Sequence, residues 1–104
     1  MTSSATKIVI ITEKLILGQV TGLIEAAGAS GYTVVAAGGK GSRGVRSSGP
    51  AAVIDEFSNV KIEVITADRS KATRIADQVA ERFFGHYSGI IYLEGVEVLR
   101  PQKF

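Results

Sequence analysis

The chain has 104 residues, 45% hydrophobic and 21% charged, with 12 Lys+Arg against 10 Asp+Glu (net charge +2) and no cysteine. That length accommodates one core, so a single domain spanning 1–104 is expected, and the composition excludes a disordered chain. The lack of cysteine excludes disulfides, thiol catalysis and Cys/His zinc sites, and the near-balanced charge excludes the broad basic face of a nucleic-acid binder.

The N-terminal "MTSSATK" has no signal-peptide core, and no apolar run approaches the ~20 residues that cross a bilayer, so a cytoplasmic protein is expected. "KIVIIT" (7–12) is a β-branched run that predicts a buried strand. From Glu13 the apolar positions Ile16, Val20, Leu23, Ile24 and Ala27 fall at helical spacing, and Gly28 supplies a stop. Gly18 and Gly22 weaken that helix and point to close backbone packing. "YTVVAA" (32–37) predicts a second strand. "NVKIEVIT" (59–66) alternates, with Val60, Ile62 and Val64 on one face and Lys61 and Glu63 on the other. Ala72, Ile75, Ala76, Val79, Ala80 and Phe83 form the stripe of a second helix, capped by Asp68 or Ser70. "GHYSG" (85–89) turns the chain into a last strand over 90–99.

Strand, helix, strand, long loop, strand, helix, strand, joined by right-handed crossovers, predicts an α+β fold. It is a ferredoxin-like βαββαβ sandwich with four antiparallel strands and both helices on one face. The loop from about 38 to 57 far exceeds the usual hairpin connection of about 2–5 residues, and long insertions of this kind are usually functional or disordered. The first strand carries Ile8, Val9, Ile10 and Ile11 on both faces, so the face without helices exposes an apolar patch. A homo-oligomer that covers it is expected.

The stretch "AAGGKGSRGVRSSG" (36–49) carries the chemistry. Its cations Lys40, Arg43 and Arg46 meet no acid until Asp55, a local positive charge that suits a small anion. Gly39, Gly41 and Gly44 match G-x-G-x-x-G after a strand, but "VRSSGP" follows where a dinucleotide site needs a helix. A Walker loop also fails, because Gly41 stands where Ser or Thr belongs. What survives is a glycine backbone whose N–H groups can approach phosphate, with nearby cations; on spacing alone a solvated flexible loop is an equally good reading. A bound metal would need oxygen ligands, which means magnesium or calcium beside a phosphate. In the second glycine turn, "HYSG" (86–89), His86 reads as a surface residue and Tyr87 as packing. Glu13 could make a polar contact, but from the sequence alone it reads first as the start of the helix.

"KIVIITEK", "GYTV", "GGKGSRGVRSSG" and "YSGIIYL", in this order, closely resemble the PII-like carbon-signalling proteins of cyanobacteria, a branch of the PII superfamily. The likeness spans nearly the whole chain, and the pairing of the two glycine motifs is specific where either alone is not. The resemblance implies a PII-like homotrimer holding adenine nucleotides (AMP, cyclic AMP, ADP and ATP) in the clefts between subunits. It identifies the long loop as the T-loop that contacts targets and the 85–89 turn as the B-loop. It places Gly39, Lys40, Gly41, Ser42, Arg43 and Arg46 on the phosphate side of the site. Ser88, Gly89 and Ile90 contribute from the B-loop, with Glu13, Thr33 and Tyr87 lining the adenosine. The implied partner is the sodium-dependent bicarbonate transporter SbtA, to which the protein would attach peripherally at the membrane.

PII proteins carry a lysine in the turn motif that "YSGIIY" lacks, so 2-oxoglutarate recognition is not implied. The reading is a non-enzymatic sensor with no catalytic residues and no dedicated metal ligands. Its enzymatic rival is a slow nucleotide phosphohydrolase using ATP or ADP at the same site. An RNA-binding module, which shares this strand order, needs stacking aromatics that "NVKIEVIT" does not offer.

Overall fold

In the computed structural model, which describes residues 1–38, 40–41, 44–45 and 58–99, the "KIVIIT" run lies within a long first strand, β1 (Ser3–Glu13). β1 begins earlier than expected because Ser3 to Thr6 pair with the distal half of the last strand, β6 (Gly89–Val98). It also ends later. Glu13 keeps an extended backbone (φ −72°, ψ 136°) and pairs with Asn59, so the expected helix does not start there. A single 3₁₀ turn over Lys14–Ile16 intervenes, and α1 runs Leu17–Ala26.

α1 ends as its sequence predicts. Gly28 takes φ 92°, its N–H donates to Glu25 C=O, and Ala29 N–H reaches back to Ile24 C=O. This left-handed cap is the geometry only glycine adopts without strain. The close packing expected at Gly18 and Gly22 is absent: nothing described lies within 4 Å of where either Cβ would stand. Both glycines face outward, away from the buried stripe of Ile16, Val20, Leu23 and Ile24.

β2 (Thr33–Ala37) starts after Tyr32, and the short pieces β3 (Lys40–Gly41) and β4 (Gly44–Val45) pair with each other, Lys40 opposite Val45. β5 (Asn59–Thr66) and α2 (Arg69–Phe83) follow. Asp68 caps α2, accepting from Ser70 N–H at 2.8 Å, so of the two candidates Asp68 is the cap. The four long strands form an antiparallel sheet in the order β2-β5-β1-β6, the ferredoxin-like arrangement. Both helices lie on one face. Their stripes close over Ile8, Ile10, Val60, Ile62 and Val64 in a single core.

The alternate residues line the open face: Val9, Ile11, Val35, Ile65, Ile90 and Tyr92, with Lys7, Glu94, Lys61 and Glu63 among them. Val35 and Ile90 are 50% exposed and Tyr92 41%. The two-faced apolar first strand is therefore real. Among the described residues, no helix is long and apolar enough to cross a membrane.

Candidate functional site

The long connection between β2 and β5 leaves and re-enters the sheet at one end. Ala37 pairs with Asn59, and Asn59 pairs on its other side with Glu13. Lys14 N–H donates to Ser58 C=O at 2.8 Å, which ties the returning arm to the end of β1. At the same end, α2 stops at Phe83 and the 85–88 turn feeds β6. His86 N–H and Tyr87 N–H both bond back to Phe83 C=O, which fixes the turn. The fold thus brings the base of the glycine loop and the second glycine turn to one rim.

Ser88 is gripped on every polar side. Its N–H donates to Glu13 Oε2 at 2.8 Å, and its hydroxyl reaches the same oxygen at 3.3 Å. Its carbonyl accepts from the Thr12 hydroxyl at 2.8 Å. The β1–β6 ladder ends at the Thr12–Gly89 pair, so one position further on the Glu13 side chain continues what backbone pairing would have done. Gly89 is required by space: a Cβ there would strike the Phe84 ring and come within 3.0 Å of Ile11 C=O.

Asn59 is the other unusual polar group at this rim. It is 2% exposed. Among the described residues its Oδ1 has no hydrogen-bond partner, and its Nδ2 reaches Ser58 Oγ at 3.4 Å. Buried polar atoms are nearly always paired, so this acceptor stands out at the rim.

Of the residues expected at the site, Glu13, Ser88 and Gly89 come together here, with Ile90 next to them on the open face. Tyr87 is half-buried and packs against the core, as its sequence context implied, and His86 is exposed in the turn. Thr33 stands apart. It is exposed on the opposite edge strand, in the row that runs through Glu63 and Val9 to Tyr92. Lys40 and Gly41 are placed by backbone only, on β3, and Gly39, Ser42, Arg43 and Arg46 lie outside the described residues. Sequence reasoning missed Thr12, Phe84 and Asn59. A polar residue at one end of an otherwise apolar strand was the available signal for Thr12 and for Asn59. Among the described residues no group of three or more His, Asp or Glu could hold a metal. A separate cavity of about 180 Å³, lined by Gly28, Thr66, Asp68 and Lys71, lies at the far end of β5.

At this rim a backbone N–H and a hydroxyl converge on one carboxylate oxygen, at the end of the sheet where β2 leads into the glycine- and cation-rich segment. The model of the family described as nitrogen regulatory protein P-II matches residues 5–103. The fold is also that of a PII-like signalling protein from Thermus thermophilus, 34% identical over 99% of this chain and 97% of that one (TM-score 0.78). CPII from Thiomonas intermedia, solved bound to ADP and bicarbonate, is 26% identical over 100% and 97% (TM-score 0.81). The same protein solved with ADP, AMP and acetate matches at 25% identity over 100% and 97% (TM-score 0.68).

Proposed function

The chain belongs to the nitrogen regulatory protein P-II family and is a PII-like signalling protein; from that premise we propose that it senses adenine nucleotides between the subunits of a homotrimer. The observation that carries this reading is the division of the expected site. The loop base, Glu13, Ser88 and Gly89 share one rim, whereas Thr33 sits on the other edge strand, about 13 Å further along and about 14 Å across at ordinary strand dimensions. One AMP cannot span that gap within a chain. In a closed ring of copies, the β2 edge of one subunit meets the rim of the next, and the two halves become one cleft.

In this reading Gly39 to Ser42, Arg43 and Arg46 hold phosphate, Gly89 and Ile90 close the rim, and Thr33 and Tyr87 line the adenosine. Glu13 reaches the ligand only once its bond to Ser88 opens. CPII supports adenine nucleotides as the class, having been solved with ADP and with AMP. Cyclic AMP, and ATP with magnesium or calcium, extend that set on the strength of the motif resemblance. Calorimetry with AMP, cyclic AMP, ADP and ATP, each with and without magnesium, tests it; no heat with any of them refutes it.

The finer proposal is an SbtB-type role, in which the loop regulates the bicarbonate transporter SbtA according to the nucleotide bound. The paired "GGKGSRGVRSSG" and "YSGIIY" motifs support it. So does CPII, a relative solved with a nucleotide and bicarbonate together. Arg46 is assigned mainly to phosphate and Arg43 partly to the transporter. Arg46→Ala should weaken AMP binding by roughly 1.5–3 kcal/mol, the range for a charge-assisted hydrogen bond, and Arg46→Lys should recover little because an ammonium lacks the planar fork. Arg43→Ala should reduce transporter pull-down more than nucleotide affinity. Equal capture of SbtA by both variants, with unchanged AMP affinity, would remove these assignments.

A further inference from the structure

The Ser88 donors are already occupied by an anion, and that anion belongs to the chain itself. Glu13 Oε2 accepts both the Ser88 N–H (2.8 Å) and the Ser88 hydroxyl (3.3 Å). A backbone N–H and a hydroxyl aimed at one oxygen bind a phosphate oxygen by the same geometry as a carboxylate oxygen. Glu13 is half-buried and lies outside the core cluster, so it can leave without disturbing the core. Ser88 stays in place, because Thr12 holds its carbonyl and Gly89 is wedged under the Phe84 ring.

We infer that Ser88 is an anion seat which Glu13 fills in the free chain, and that a nucleotide takes it by displacing the carboxylate with a phosphate. This rests on the nucleotide reading above and deepens it. Glu13 is then a specificity-determining residue: a ligand must carry an anion strong enough to replace it, and a nucleoside without phosphate gains nothing at this position.

Asn59 supplies the place where the displaced carboxylate goes. It is the direct cross-strand partner of Glu13, and such partners have Cβ atoms about 4.5–5.5 Å apart. Its Oδ1 has no partner among the described residues, so turning the amide over sacrifices only the 3.4 Å contact to Ser58. The turned amide presents Nδ2, a donor, to Glu13. The free arrangement leaves one buried acceptor unpaired at this rim, and the displaced arrangement gives the carboxylate a new donor.

The test is calorimetry on the full chain with AMP and with adenosine, comparing the native protein with Glu13→Gln. Glutamine still accepts from Ser88 but as a neutral group, so it competes less well. AMP should bind Glu13→Gln about three- to tenfold more tightly, the difference between a charged and a neutral partner, and adenosine should gain less than AMP. Unchanged or weaker AMP binding in the variant overturns the competitor role, as does an equal gain for adenosine. If the native protein binds no AMP at all, the nucleotide reading itself falls, and the inference with it. Should the variant fold poorly, NMR on the native protein decides. AMP should shift both the Ser88 amide and the Glu13 carboxyl resonances, and adenosine should leave the Ser88 amide in place; a Glu13 carboxyl that ignores AMP refutes the exchange.

Discussion

At the residue scale the rim depends on two positions that act through their neighbours. Gly89 leaves room for the Phe84 ring, so Gly89→Ala forces that ring out or pushes β6 away from Ile11. Overpacking of this kind costs about 1–3 kcal/mol, and a thermal melt should show it as a lowered Tm. Thr12 is fully buried and donates to Ser88 C=O. Thr12→Val keeps the shape and removes the donor, leaving a buried carbonyl unpaired at a cost of about 1–3 kcal/mol. Denaturant unfolding should move to a lower midpoint with an unchanged slope. A Thr12→Val midpoint equal to the native one would mean that water satisfies the carbonyl and that Thr12 does not hold the turn.

At the scale of elements, α2 begins with a titratable cap. The Ser70 hydroxyl, and after it the Ser70 N–H, hold the Asp68 carboxyl below its ordinary range. A depressed carboxylate stabilises the fold fully above its unfolded pKa, about 3.9, and that contribution is lost as pH falls through the lower folded value. Asparagine caps nearly as well without titrating. Asp68→Asn should therefore match the native Tm at about pH 6 and lose less of it on acidification to about pH 3; parallel melting curves would show that the cap's charge is irrelevant. This cap, the apolar runs of β1 and β5 and the Gly28 stop were all legible in the sequence, because each is a local pattern. The start of α1 was not. Glu13 looks like the opening of a helix, but its pairing with Asn59, far away in sequence, keeps it in the strand. The site divides in the same way. The two glycine motifs declare themselves locally. The Glu13–Ser88 bond and the buried Asn59 exist only once the register of three strands is set, and no spacing along the chain encodes that.

For the whole molecule, the open sheet face is the feature that a monomer leaves unresolved. Val35 and Ile90 are half-exposed, Tyr92 only slightly less so, around the buried Val9. Contiguous apolar surface of this kind marks an interaction site. The charges on the face come as pairs, which lowers the cost of covering them: Lys7 lies 3.2 Å from Glu94 and Lys61 3.5 Å from Glu63. Paired charges can be covered by another subunit without leaving either partner bare. Light scattering should accordingly give about three times the 10.9 kDa monomer mass. Val35→Asp places a carboxylate in the covered area, beside Lys61, which already holds Glu63, and should give the monomer mass. The same variant links assembly to binding. Val35 lies on β2 two residues from Thr33, so a loss of AMP affinity is assigned to the lost neighbour only where it tracks the loss of trimer. AMP binding should therefore fall in step with the trimer fraction as the variant is diluted or combined with native subunits. A monomeric Val35→Asp that binds AMP as well as the native protein would place the whole site within one chain, and the cleft between subunits would have to be abandoned.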